Sequence, residues 1–283
     1  MSAPRAIDLH MHSTASDGAV APAGVAAAAH AAGLAAIALT DHDTLAGVEE
    51  ARAAGAALGV RVIAGVELSA VDAAGDETHV LGLHIARPAP LQQALEGFRT
   101  ARRTRALEIV DRLNALGVPL TADAVLAEAN GAAIGRPHVA RALIAGGWVA
   151  DLREAFDRYL GAGRPAFVEK RRLTMPEAFA LIHEAGGLAV YAHPGRDGTR
   201  ERVAAFAALG MDGLEVRHPG HSPAETTRLA ALARELDLVP SGGSDWHGAA
   251  DGARTIGCMD VPAEWLDLQE ERLARRRAHT VTA

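Results

Sequence analysis

The sequence predicts an α/β barrel interrupted by an all-helical insertion, and three observations carry that prediction. Short apolar, strand-like runs alternate with helical stretches on both sides of the chain's middle, which is the pattern of repeated βα units around a parallel sheet. Polar clusters close one apolar run after another. Between residues 89 and 166 the strand character disappears while helical patterning continues. The number of units favours closure into a barrel over an open sheet. Residues 1–88 and 167–283 are then the barrel and 89–166 the insertion.

The elements follow in order. Ala6-Ile7-Asp8-Leu9 reads as a buried strand, and Pro22 to Ala32 as an alanine-rich helix with Pro22 in its first turn and Gly33 as its C-terminal cap. Ala35-Ile37-Leu39 is the next strand, Leu45 to Leu58 a helix, Val60 to Val66 a strand running into Glu67, and His79 to Ile85 a fourth strand. In the insertion, Leu91 to Leu116 is a long helical stretch whose Arg99, Arg102, Arg103 and Arg105 read as a solvated face. Thr121 to Asn130 follows, then a helix opened by Gly135-Arg136-Pro137-His138, then Asp151 to Leu160. Such a block suits a lid over the barrel mouth. After it the rhythm resumes with a helix at Pro176, strand Leu188 to Ala192, helix Arg200 to Leu209, strand Gly213 to Val216, helix Pro223 to Leu236 and strand Leu238 to Ser241. His279 falls in a polar tail.

Composition bounds the function. With 283 residues and 49% hydrophobic content the chain can bury a large core, so disorder is not expected. No run of about 18 apolar residues and no basic-then-apolar leader is present, so neither a membrane span nor a signal peptide is expected and a cytoplasmic enzyme is the default. The single cysteine, Cys258, has no partner, which leaves metal chemistry to histidine and carboxylates. A net charge of −7 argues against long nucleic acid, whose backbone needs a broad basic surface, and leaves small anionic substrates open. No obligate protein partner is evident.

The polar clusters carry the chemistry. Asp8-x-His10-x-His12 puts two imidazoles on one face of an extended backbone, an arrangement that suits a metal. Asp17, Thr40-Asp41-His42-Asp43, Glu67, His79, Ala192-His193-Pro194, His218 and Ser244-Asp245-Trp246-His247 follow. Most lie at or just past the C-terminal ends of expected strands, the face where barrel active sites are built. His79 and His84 are five residues apart and fall on opposite faces, so only one points inward. Asp41 and Asp43 could orient His42. His218 and His221 could serve substrate binding or proton transfer. His30 and His183 sit in helices as surface or packing residues.

These motifs, Asp8-x-His10-x-His12-Ser13-x(3)-Asp17-Gly18, Thr40-Asp41-His42, Gly65-x-Glu67, His79-Val-Leu-Gly, Ala192-His193-Pro194 and Gly243-Ser244-Asp245-x-His247, resemble the successive motifs of the polymerase and histidinol phosphatase (PHP) family. The insertion with Gly135-Arg136-Pro137-His138 further resembles the branch containing nucleoside 3′,5′-bisphosphate phosphatases and a related 5′-to-3′ exoribonuclease. The resemblance implies a distorted (β/α)7 barrel around a trinuclear metal centre. His10, His12, Glu67 and Asp245 would hold one ion, Glu67 with His79 and His193 a second, and Asp17, His42 and His247 a third. It also selects His79 over His84. Imidazole and carboxylate donors without thiolate suit Mn²⁺, taken as the first choice, or Fe²⁺ or Zn²⁺.

Several divalent ions around one carboxylate suggest metal-assisted hydrolysis of a phosphate ester, with Glu67, Asp245 and His218 at the reacting centre. Arg136, His138, Lys170, Arg171, Arg196 and His221 are the candidates for binding substrate, the guanidinium forks for a second anionic group. A metal site plus two arms of basic residues fits a small molecule with two phosphates. The expectation is loss of the 3′-phosphate from a nucleoside 3′,5′-bisphosphate such as 3′-phosphoadenosine 5′-phosphate. Exonuclease action on short 5′-phosphorylated oligonucleotides or histidinol-phosphate hydrolysis is the alternative. An amidohydrolase also begins with H-x-H, but it commonly uses a carboxylated lysine at a strand end, and the sole lysine, Lys170, follows the insertion. A non-catalytic metal-binding module would show eroded ligand positions, and here every position is filled.

Overall fold

The computed structural model describes residues 6–129, 134–169 and 172–282. Its chain divides into two units, Met1–Gln92 with Leu173–Ala283, and Gln93–Arg172. In the first unit, β1 (Ile7–Met11), α1 (Pro22–Ala31), β2 (Ala36–Leu39), α2 (Val48–Leu58), β3 (Arg61–Val71) and β4 (Glu77–Leu83) precede α3 (Pro88–Ala115), which runs into the second unit. The second unit continues with α4 (Ala122–Ala129), α5 (Arg136–Ala145), α6 (Leu152–Ala155) and a π-turn at Phe156–Leu160. The first unit resumes with β5 (Leu173–Thr174), α7 (Met175–Glu184), β6 (Leu188–Tyr191), a 3₁₀ turn at Gly195–Asp197, α8 (Arg200–Ala208), β7 (Gly213–Arg217), α9 (Pro223–Glu235), β8 (Val239–Gly242) and α10 (Glu264–Thr282). No helix among the described residues is long and apolar enough to cross a membrane.

Seven strands form a nearly closed barrel-like sheet in the order β1-β2-β3-β4-β6-β7-β8, with β5 beside β3. The gap between the ends is bridged where Met11 pairs with Trp246 and His12 N donates to Trp246 O at 2.9 Å. Ile7, Leu9, Ala38, Ile63, Leu81 and Val190 fill the interior, while Met11, Ile37 and Leu39 face outward onto Val25, Ala29 and Ala51 of α1 and α2. The helical unit has its own core around Ile109, Leu113, Val139, Leu143 and Leu160.

Three features depart from the sequence reading. The sheet is not uniformly parallel, because β3 and β4 form a hairpin and β4 pairs with both β3 and β6 antiparallel. Only five residues, 72–76, join β3 to β4, too few for the crossover that a parallel pair needs. His279 lies not in a tail but in α10, whose Leu266, Gln269 and Leu273 are buried at helical spacing. Arg105 is not on a solvated face. It is half-buried and donates to Val168 O at 2.8 Å.

Closure at β1 depends on a buried carboxylate. Asp8 Oδ1 accepts from Ser244 N at 2.9 Å and Oδ2 from Gly257 N at 2.9 Å, tying the first strand to the segment after the last. Burial pushes this carboxyl's pKa up, opposed by those same amide donors. Asp8→Ala leaves the two amides without an acceptor and should lower the unfolding free energy by about 2–4 kcal/mol. Urea denaturation reads this directly, and a loss under about 1 kcal/mol would show that closure does not rest on Asp8.

Candidate metal centre

The register of β1 explains how His10 and the adjoining His12 enter the barrel. Ile7 pairs with Ala36 and Asp8 with Ile37, but Met11 pairs with Leu39, so β1 carries one extra residue between Asp8 and Met11. Such a bulge reverses the alternation. Met11 turns outward with Leu39, and its neighbours His10 and His12 therefore join Ile7 on the interior side. Both are fully buried. Gly243 lets the chain after β8 pass close enough to bring Asp245 in, since a Cβ there would strike the His10 backbone and side chain.

The cluster centres on Glu67, which is 1% exposed. Its Oε2 lies 3.2 Å from His10 Nε2, 3.3 Å from His12 Nε2 and 3.3 Å from His42 Nδ1, while Oε1 lies 2.8 Å from His79 Nδ1 and 2.9 Å from His193 Nε2. Asp245 Oδ1 is 3.2 Å from His12 Nε2 and 3.5 Å from His10 Nε2. At the outer edge the more exposed Asp17 stands 3.3 Å from His247 Nε2, 3.7 Å from His12 Nδ1 and 3.8 Å from His42 Nε2. His247 Nδ1 donates to Asp245 O at 2.8 Å, which leaves Nε2 facing Asp17. Three sets of donor atoms lie close enough together to hold an ion: His10, His12, Glu67 and Asp245; His42, Glu67 and His79; and His12, Asp17, His42 and His247.

Not all of these sit at C-terminal strand ends. Glu67 is mid-strand because the hairpin carries β3 on to Val71, and His79 is near the start of β4, which runs the other way. The antiparallel turn brings both to the same end of the barrel.

The electrostatics suit cations. Burial alone would raise the Glu67 pKa, but His10 and its neighbours hold it well below the usual carboxylate range. Asp245 is likewise held far below that range by His12, His218 and His10 against the effect of burial. Burial opposes the charged form of His10, yet Glu215 and Glu67 keep its pKa well above normal. His42 goes the other way, pushed down chiefly by burial. Buried, ionised carboxylates need protons or metal ions beside them. At the His12 ring both nitrogens are buried among carboxylates without a hydrogen bond of good geometry. Such orphaned imidazole nitrogens fit metal ligation.

Glu215 is the residue the sequence reading missed. It is fully buried in β7, its Oε1 accepts from His10 Nδ1 at 3.0 Å, and its Oε2 accepts from His193 N at 2.5 Å. The signal was a carboxylate inside the apolar run Gly213-Leu-Glu-Val. Arg254 was also missed, and it pairs with Asp245 Oδ2. His218 Nδ1 accepts from Gly220 N at 3.0 Å, which puts its proton on Nε2, 3.4 Å from Asp245 Oδ2.

The remaining candidates have partners of their own. Asp41 does not orient His42; it accepts from Ser13 N, Ser13 Oγ and Ser16 Oγ, each at 2.7 Å, and shapes the turn after β1. Asp43 accepts from Ser69 N at 3.3 Å. His84 is absent from the cluster and bonds Gln269 instead, at 3.0 Å. His221 has both ring nitrogens on backbone, Nδ1 donating to Val216 O at 3.0 Å and Nε2 accepting from Gly195 N at 3.1 Å, so it braces the turn after His193. Arg196 is exposed on that turn beside Thr199, Arg200, Glu225 and Arg228. In the helical unit Arg136 donates to Leu160 O at 3.0 Å and lies over the Phe156 and Phe167 rings, and His138 Nδ1 accepts from Gly135 N at 2.9 Å. These contacts set both side chains at the start of α5. Lys170 and Arg171 lie outside the described residues.

A carboxylate that holds the far nitrogen of a ligating histidine typically tunes metal affinity by about 10- to 100-fold. Glu215→Gln should weaken Mn²⁺ binding by about that factor with the far-ultraviolet circular dichroism unchanged. Proton release on metal binding should be greater at lower pH, where the raised His10 pKa leaves more proton to displace. Calorimetry in two buffers measures both quantities; unchanged affinity in the variant would remove Glu215 from this role.

The chain resembles known proteins along nearly its whole length. The PHP domain model matches residues 8–116. The chain is 40% identical over 267 residues to a 5′-3′ exoribonuclease of Haemophilus influenzae, covering 92% of each. It is 39% identical over 278 residues to a 3′,5′-nucleoside bisphosphate phosphatase of Chromobacterium violaceum, covering 95% of this chain and 97% of that one. A solved Bifidobacterium adolescentis structure assigned as a metal-dependent phosphoesterase superposes with a TM-score of 0.69 at 32% identity, covering 95% and 98%. With its ligand-rich barrel end and relatives matched along nearly its whole length, the chain belongs to the PHP family of metal-dependent phosphoesterases.

Proposed function

We propose that the chain removes the 3′-phosphate of a nucleoside 3′,5′-bisphosphate, such as 3′-phosphoadenosine 5′-phosphate, leaving the nucleoside 5′-monophosphate. The observation that carries this reading is the ring of imidazoles and carboxylates about Glu67, in a chain 39% identical to a bisphosphate phosphatase over nearly its full length. His10, His12, Glu67 and Asp245 are assigned to one ion, Glu67, His79 and His193 to a second, and Asp17, His42 and His247 to a third, with Mn²⁺ suited to the donor set. Ions so held would supply a water of lowered pKa and positive charge to offset that on an attacked phosphoryl group.

The chain's own groups supply the arrangement. Glu215 keeps the His10 proton on Nδ1 and leaves Nε2 for the cluster. His218 holds a proton at Nε2 toward Asp245 and so steadies that carboxylate. For the 5′-phosphate that stays on the product, the candidates are Arg196 of the barrel unit, Arg136 and His138 of the insertion, and Lys170 and Arg171 just after it in sequence. The net charge of −7 supports a small substrate over long RNA. Short 5′-phosphorylated RNA is the second reading, favoured by the 40% identity to the exoribonuclease.

Glu67→Ala should lower kcat by several orders of magnitude and reduce bound metal, with the fold retained because the residue lies at the barrel's ligand end. Elemental analysis decides this, since full metal content with near-normal activity would remove Glu67 from the centre. The substrate is tested by comparing kcat/KM for the bisphosphate, histidinol phosphate and a 5′-phosphorylated oligonucleotide. The bisphosphate should exceed histidinol phosphate by at least about tenfold, which corresponds to about 1.4 kcal/mol in transition-state binding. A smaller margin defeats the assignment, and a preference for the oligonucleotide establishes the second reading.

A further inference from the structure

The end of the barrel opposite the metal centre has a cleft of about 400 Å³, within the range of small-molecule sites. Arg61 at the start of β3, Arg52 of α2, His84 after β4, and Glu270, Leu273 and Arg277 of α10 line it. Three guanidinium groups against one carboxylate stand out in a chain of net charge −7. Arg61 is paired with Glu270, and Arg52 with Glu49 at its solvent side. Arg277 has no ion-pair partner among the described residues.

His84 is placed here with unusual care. Leu83 pairs with Gly65, yet the next strand bond runs from Ile85 N to Ala64 O at 3.0 Å, so His84 is an extra residue in the ladder with φ of +60°. Glycine normally fills a left-handed bulge position, and bulges re-aim side chains. The ring is then fixed. Gln269 is fully buried, and its Nε2 donates to Pro240 O at 3.0 Å, which turns its Oε1 toward His84 Nε2 at 3.0 Å. His84 must therefore carry its proton on Nε2, leaving Nδ1 as the open nitrogen. Burial first, and then the Arg61 and Arg277 charges, lower the His84 pKa against the opposing pull of Gln269 and Glu270. An anion among the arginines would offset that pressure.

We propose that this cleft is a second anion site, remote from the metal centre, that takes a small molecule bearing a phosphate monoester. Guanidinium forks match phosphate oxygens in geometry and charge. The apolar wall from Ile63, Ile85 and Leu273 accommodates the organic body of such an ester. The site does not depend on how the metal centre is read.

Inorganic phosphate titrated into the metal-loaded enzyme, with the His84 ring followed by NMR and assigned through His84→Gln, tests the proposal. Phosphate at the metal centre leaves this reporter unmoved. The His84 resonances should shift saturably and its pKa should rise on saturation. Arg52→Ala combined with Arg277→Ala should weaken that response by about tenfold or more, with kcat on a phosphomonoester unchanged. Both arginines are exposed, so the fold should tolerate their loss. If the double variant does not fold, Arg277→Ala alone is read in the same way. A His84 ring that does not respond in the wild type, or responds equally in the variant, overturns the proposal.

Discussion

One buried carboxylate organises the functional end of this molecule. Glu67 is faced by five imidazoles, three at one oxygen and two at the other, in a setting almost closed to water. An ionised group so placed is costly unless cations satisfy it. The histidines can do that by holding protons or by sharing metal ions. The carboxylates stay ionised in either case, so metal and proton compete for the same nitrogens and binding couples to pH.

Two departures from regular barrel geometry bring those groups together. The bulge in β1 puts His10 and His12 on the interior side, where strict alternation with Ile7 would have placed them outside. The β3–β4 hairpin lets a mid-strand glutamate and a histidine near a strand start reach the same end as residues that follow β2, β6 and β8. Glu215 then joins the two halves, since one of its oxygens holds the His10 ring and the other the backbone after β6. The distortion of the barrel is thus part of how the centre is assembled.

Much of this was legible in the sequence because ligands here are short, ordered motifs at the ends of apolar runs. The αβ alternation, Asp8-x-His10-x-His12 and Asp245-x-His247 need no tertiary knowledge to be seen. What escaped depends on partners far along the chain. Asp41 looks like a support for His42 but is taken by Ser13 and Ser16 across the sheet. Glu215 reads as an ordinary strand residue, and Gln269 has no reading at all, until His10 and His84, more than 180 residues away, are found against them. The helix α10 was hidden by its charged face, although Leu266, Gln269 and Leu273 already had the spacing.

Backbone strain connects the two ends of the barrel. His193 and Asp245 in the metal centre and His84 at the opposite cleft all have left-handed backbone, at φ of 29°, 50° and 60°. Glycine would adopt each position at less cost. In all three the side chain or its neighbouring amide is fixed by a buried partner: Glu215 under His193, His12 and His218 against Asp245, and Gln269 against His84. Such conformations persist only where surrounding contacts over-determine them, and they concentrate where a side chain must be aimed. By that standard the cleft lined by arginines and the metal centre are built on the same physical terms.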